Sequence, residues 1–357
     1  MPTESSPLRS ICKVIGLLLK GLLVILVLGY LAWTLEGRRQ LNQAWQLLIE
    51  AQSKKGVDNK LPFEKGLDMP LSHIDIYEPL FDLMLRDLQL HEPPDSIYSK
   101  RLAALIHFTT AYKNDQNGVS YTLQRGQHHR LITEIQRRAG ANANTSEARN
   151  LLPLFNQLEE STPPTNLLKA LRGEYAHSGL SMYSDYRKSP FDLPEYMNAE
   201  EFPPYLTGAY ALIQLDRDEA IFHRYWARHY ASVKTILDER EIQYPIKPDP
   251  EYTELATARS LVAFSTVPSA DIYLDGYLSL RANLHITRTG LHLLAGTTPP
   301  LLTDPFDGQP IRIKKTGSGW IVYSIGKNGV DDGGSTEAPK YSPLDICWEI
   351  VRSTPSP

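Results

Sequence analysis

The sequence predicts a mainly α-helical chain of α+β class: an N-terminal transmembrane helix, a multi-helix extracytoplasmic domain and a small C-terminal β-hairpin module. Three observations carry this reading. An apolar run fills Ile11 to Trp33. From Glu36 to about Ala295, apolar residues recur at spacings of three and four, the period of a helix face. From Thr298 the texture turns to turn formers and short alternating runs, the mark of strands and hairpins. The chain is accordingly divided into a cytoplasmic tail (1–10), a transmembrane helix (11–34), a helical extracytoplasmic domain (35–297), a β module (298–350) and a disordered tail (351–357).

The apolar run comes first. Val14 to Trp33 is about 20 residues, which at a rise of about 1.5 Å spans a hydrocarbon core of roughly 30 Å. Lys20 interrupts it near one edge, where its stem can lie along the helix and leave the ammonium among head groups. Tyr30 and Trp33 fall where an interfacial aromatic belt would lie. No small-x-small site follows, so the run reads as a retained anchor rather than a cleaved leader. Arg9, Lys13 and Lys20 precede or enter the span, whereas Arg38 and Arg39 follow it. The short leading tail and the long domain behind it favour an inside N-terminus and an extracytoplasmic remainder.

The helical region has its own stripes. Leu102, Leu105, Ile106, Thr109 and Tyr112 share one face, as do Leu131, Ile132 and Ile135. Arg137, Arg138 and Gly140 predict a basic, glycine-terminated helix end. Asn144 with Glu147 predicts the next start, carrying Leu151, Leu152 and Leu158. Phe222, Trp226, His229, Val233 and Ile236 form the clearest stripe, and segments near Leu261 and from Leu278 to Leu294 continue the pattern. Breaks fall at Leu61–Pro70, Gly179–Pro204 and Tyr244–Pro250. The second, with Tyr183, Tyr186, Phe191, Tyr196 and Phe202, reads as a long aromatic loop that covers the core or forms a binding surface. No fixed-period repeat is present.

Composition excludes some function classes. The 37 basic and 41 acidic side chains leave a net charge of -4, too balanced for a nucleic-acid partner. Apolar residues at 42% support a packed core and argue against wholesale disorder. The two cysteines, Cys12 and Cys347, lie at opposite ends and do not signal a disulfide framework. Cys12 precedes the apolar run, so it is not a lipoprotein cysteine.

In the β module, Asp304-Pro-Phe-Asp-Gly-Gln-Pro310 is dense in turn formers. Ile311-Arg-Ile-Lys-Lys315 alternates, Gly317-Ser-Gly319 turns, and Trp320 to Ile325 predicts a buried strand. Asn328-Gly329 and Asp331-Asp-Gly-Gly334 form a second turn cluster. Together with Asp345-Ile-Cys-Trp348, this order resembles the C-terminal domain of the major pseudopilin of type II secretion over about 45 residues. The whole chain is similar to a group of bacterial single-pass membrane proteins that share a span, an Arg-Arg helix, a long helical region and this ending. That group carries no activity to transfer. The resemblance implies a bacterial inner-membrane protein with envelope partners, and calcium at Asp331, Asp332 and Asp345. Such an ion takes six to eight oxygens, which a Gly-rich acidic loop can supply in part, and Asn328 and Ser335 could add to them. The alternative is a solvated polar turn without metal. The chain departs from the family at the processing site, where a glutamate five residues after the cleavage glycine is missing. Gly16 would place Gly21 there and Gly21 would place Leu26, so the chain is not read as an assembled pilin subunit.

No catalytic residue is assigned. His223 and His229 lie six apart and diverge by about 120° on a helix, so one ion cannot readily take both; His229 reads as a core histidine. His128 and His129 read as a surface pair. Glu174, Asp185, Asp192 and Glu195 border the aromatic loop and read as solvated. No nucleophile elbow, phosphate loop or zinc-protease motif occurs. Two functions remain: a non-enzymatic scaffold or interaction module, which is favoured, and a tethered hydrolase or ligand-binding domain with a site built from distant residues.

Overall fold

The computed structural model describes residues 72–91, 94–110, 118–142, 145–176, 181–188, 215–239, 270–335 and 345–351. All belong to one compact unit, Asp58–Pro357. The expected span, the break at 61–70, the break at 244–250 and Leu261 lie outside the described residues. Among the described residues, no helix is long and apolar enough to cross a membrane.

The helices are α1 (Ser72–His91), α2 (Asp95–Thr109), α3 (Gly118–Asn142), α4 (Thr145–Glu160), α5 (Pro164–Gly173), α6 (Ser181–Lys188), α7 (Leu215–Glu239) and α8 (Ala270–Leu294). The strands are β1 (Arg312–Lys315), β2 (Gly319–Ser324) and β3 (Ile346–Val351). Mostly helical with a small antiparallel sheet, the unit is α+β as expected. The stripes close as their spacing requires. Leu102, Leu105, Ile106 and Thr109 are buried on α2, Leu131, Ile132 and Ile135 on α3, Leu151 and Leu158 on α4, and Phe222, Trp226, His229 and Val233 on α7.

α8 is the central rod. It packs against α3, α4 and α5 on one side and against β2 and β3 on another. Gly290 makes the second contact close: a Cβ there would run into the Trp348 ring. The sheet has the order β1-β2-β3, with Val322 opposite Trp348 and Trp320 opposite Ile350. The expected hairpin is therefore a three-stranded sheet. Ile346, Trp348 and Ile350 have the period of two that puts them on one face, and Trp348 and Ile350 are buried. Phe306 and Ile325 join the core built by α5, α6, α7 and α8.

Two local expectations are revised. α3 runs two residues past Gly140, because Arg138 turns inward and does not end the helix. The carboxylate of Glu147 accepts from Arg138 Nε at 2.7 Å, and Asn144 lies outside the described residues. Part of the supposed aromatic loop is helix α6, and its Tyr183 and Tyr186 are buried core residues. Those two tyrosines cover the core; Phe191, Tyr196 and Phe202 lie outside the described residues.

α3 is polar for a central helix and buries Gln124, Gln127, His128, Glu134 and Arg138. Buried polar groups need partners, and these have them. Tyr98 donates its hydroxyl to Glu134 Oε1 at 3.1 Å, and Arg137 donates to both oxygens at 2.9 Å. Arg138 bonds Glu147, reaches Asp95 Oδ1 at 2.8 Å, and lies 4.8 Å over the Tyr98 ring. This network bolts α2, α3 and α4 together.

Candidate functional site

An aromatic pocket of about 200 Å³ lies in the helical half. It forms where α5 meets α7. Past Gly173 the chain makes one wider, π-type turn over 174–176, an irregularity common at functional positions. That turn carries Tyr175 to the α7 stripe, where its ring stacks on Phe222 at 5.6 Å and nearly parallel, 5° between planes. Trp226 meets Tyr175 edge-on at 6.2 Å. Arg172 lies 5.1 Å above the Tyr230 ring and brings a cation to the rim. Leu171 and Ala227 complete the lining.

Two polar groups border this pocket. His223 Nδ1 is 2.8 Å from the Tyr175 hydroxyl, and its Nε2 faces Glu219 Oε1 at 3.8 Å. With the ring proton on the Glu219 side, Nδ1 accepts and Tyr175 donates. Glu219 is also paired with Arg187. Trp226 is different: its indole N–H is closed off from solvent and, among the described residues, meets no acceptor. An unpaired buried donor costs about 1–3 kcal/mol.

A second, larger cleft of about 520 Å³ lies between α8 and the start of the β module. Its His285 is already engaged on both sides. Nδ1 donates to the Thr303 carbonyl at 2.7 Å, and Arg281 Nη2 sits 3.1 Å from Nε2. Burial, then the cations Arg281 and Arg288, lower its pKa to about 4. The ring is neutral at pH 7. Asp304, at the floor, is fully buried. Its Oδ1 accepts from Phe306 N–H at 3.0 Å and Ser324 Oγ at 2.8 Å; its Oδ2 accepts from Ile325 N–H at 2.9 Å and Arg312 at 3.1 Å. Burial raises its pKa against the pull of these donors. It is a structural hub with no lone pair left for chemistry.

The other sequence candidates disperse. His229 is buried and stacks on Tyr225 at 5.9 Å, away from His223. His128 is no surface residue: it is buried, with Nε2 2.8 Å from Thr109 Oγ1 and 3.3 Å from Ser161 Oγ. Each hydroxyl donates to a helix carbonyl, at 2.7 and 2.6 Å, so the ring N–H donates to both. Glu174 is no loop acid either. Its Oε1 accepts from Gly118 N–H at 2.6 Å, capping α3 from 56 residues away, where the helix dipole favours an anion. Asp185 pairs with Lys188 at 3.2 Å; Asp192 and Glu195 lie outside the described residues.

The three aspartates proposed for calcium do meet at one loop. Asp331 accepts from Gly333 N–H at 3.0 Å on Oδ1 and from Arg312 Nε at 3.0 Å on Oδ2. Asp345 accepts from Asp332 N–H at 3.3 Å and Gly334 N–H at 2.7 Å, one on each oxygen. Asp332 Oδ2 accepts from Asn328 Nδ2 at 2.9 Å. Both oxygens of Asp331 and of Asp345 thus hold protein donors. Among the described residues, no three His, Cys, Asp or Glu side chains converge as metal ligands.

The Trp226 pocket was within reach of the sequence only in part: the α7 stripe was visible, but nothing announced that Tyr175 would close it. Comparison with protein-family models, with curated proteins and with solved structures gives no match.

Proposed function

We propose that the chain is a bacterial inner-membrane protein, anchored by its N-terminal apolar run, whose extracytoplasmic domain is a non-enzymatic interaction module with a pseudopilin-like ending. The pocket of Tyr175, Trp226 and Tyr230 is the part that engages its envelope partner. One observation carries this reading: an apolar, ring-lined pocket of about 200 Å³ with His223 and the Arg172 cation at its rim. Aromatic walls with a polar tip are the chemistry of protein-binding hot spots. The occupant is an aromatic or aliphatic side chain of the partner.

The alternative, a tethered hydrolase or ligand-binding domain, would use the larger cleft of α8. Its polar groups argue against hydrolysis, because His285 and Asp304 are committed to structural bonds, and the hydroxyl that meets Asp304, Ser324 Oγ, is fully buried and itself accepts from Gly326 N–H.

The test is a photo-cross-linker placed at Tyr230 in the full-length chain, irradiated in native membranes. The expected result is one dominant envelope adduct, reduced at least about tenfold by Trp226→Ala, since a hot-spot truncation costs about 2 kcal/mol or more. An adduct pattern unchanged by Trp226→Ala in a folded variant overturns the assignment of the pocket.

A further inference from the structure

The acidic loop of the β module rests on the sheet face opposite α8. β-strand alternation puts Arg312 and Lys314 on one face of β1. Their partners on β2 are Tyr323 and Ile321. These four side chains form the floor beneath Asp331 to Gly334. Arg312 Nε takes Asp331, and Tyr323 also hydrogen-bonds that carboxylate. Lys314 Nζ donates to the Gly333 carbonyl at 3.0 Å. Gly334 lies against Ile321 and Tyr323, and a Cβ there would sit 2.7 Å from Ile321 Cγ2. Gly333 and Gly334 both have φ near +70°, at 72° and 73°, which L side chains rarely adopt. Those two residues set the direction of the Gly333 carbonyl toward the lysine.

We propose that this loop is closed by cations the chain itself supplies, the Arg312 guanidinium and the Lys314 ammonium, and not by a divalent metal. Calcium binds with six to eight oxygens at about 2.3–2.6 Å. Here most of the oxygens such an ion would recruit are held by N–H groups, Asp332 Oδ2 by the Asn328 side-chain amide among them. Gly333 O faces an ammonium, Asp331 a guanidinium and a backbone amide, and Asp345 two backbone amides. Arg312 does more than fill a site. The same guanidinium reaches Asp307 Oδ2 at 2.6 Å and Asp304 Oδ2 at 3.1 Å, so it ties the turn before β1 to the loop after β2. A planar five-donor fork spreads over three carboxylates in this way, whereas a lysine offers its three donors from a single nitrogen.

The experiment is thermal unfolding of the full-length chain in detergent with excess EGTA, then with about 5 mM calcium chloride, above the roughly 10⁻⁴–10⁻³ M range of weak extracellular sites, with magnesium chloride as the ionic-strength control. The wild type is expected to melt at the same temperature in all three. Lys314→Met, which keeps the stem and removes the ammonium, and Arg312→Gln are each expected to melt lower in EGTA, and Arg312→Gln to recover part of the loss with calcium but not with magnesium. A wild-type melting temperature several degrees higher in calcium than in magnesium overturns the proposal. So do two variants that melt like the wild type. If Arg312→Gln does not fold, Lys314→Met and the wild-type titration still decide the matter.

Discussion

Replacing His128 with glutamine keeps an N–H donor near the ring Nε2 and removes the group that titrates. Burial first, and then the neighbouring His129, hold the His128 pKa down at about 3 against an ordinary 6.5. The unfolded chain therefore binds a proton that the folded chain refuses. The stability contributed by the neutral ring is fully present above pH 6.5 and is lost as pH falls through the folded pKa. At 1.36 kcal/mol per pKa unit, one such histidine accounts for about 2 kcal/mol between about pH 7 and pH 5, and about 5 kcal/mol if the whole window is traversed. The protonated ring would also lose its fit, because Nδ1–H would need an acceptor in a site whose hydroxyls serve Nε2. Urea unfolding followed by circular dichroism at a series of pH values measures this directly. The wild type should lose free energy on acidification, and His128→Gln should lose about 2 kcal/mol less over the same interval, with the urea slope unchanged. The subtraction cancels His285, whose pKa is also lowered to about 4, and the part of the His129 contribution that does not depend on its coupling to His128. A variant whose stability declines as steeply as the wild type's would refute the reasoning.

Three further outcomes follow from the packing. Glu147→Ala strips Arg138 of its buried partner and leaves only exposed Asp95, so it should destabilise by about 3 kcal/mol in the same assay, while Asp95→Ala costs less than 1 kcal/mol or so. Asp304→Asn replaces one carboxylate oxygen with a donor that must face an N–H; calorimetry should show about 2–4 kcal/mol lost, with β2 amides exchanging faster. Gly290→Ala pushes a methyl into Trp348 and should cost about 1–3 kcal/mol, read as a lower melting temperature and an altered tryptophan emission.

Much of the fold was legible because it rests on period. The α2 and α7 stripes mark helix faces by spacing alone, and both faces are buried where spacing puts them. The strand from Trp320 was equally plain. What escaped detection has no periodic signature. α3 passes through the centre of the unit carrying Gln124, Gln127, His128 and Glu134, and their polarity reads as surface until partners on α1 and α2 are known. Glu174 caps a helix far behind it in the chain, a pairing no local rule contains. β3 was missed for another reason. Ile346, Trp348 and Ile350 do alternate, but the segment was read as the close of a motif and not as a strand. The candidate pocket was half visible, through α7; the half supplied by Tyr175 depends on one π-type turn.

The position of α8 has a consequence for the order in which the molecule can be completed. A chain emerges from its point of synthesis N-terminus first, so α1 to α5 are available well before the rod that fills the space among α3, α4 and α5. Until α8 arrives, those helices present apolar faces to their surroundings, and until β3 docks on Gly290 the far side of α8 does the same. Local helix formation is fast, but closing this core is a long-range event that waits for the last strand. The interval is when aggregation competes with folding, and pulse-labelled hydrogen exchange on chains truncated after residue 269 and after residue 335 would measure how much of α3 is protected at each stage.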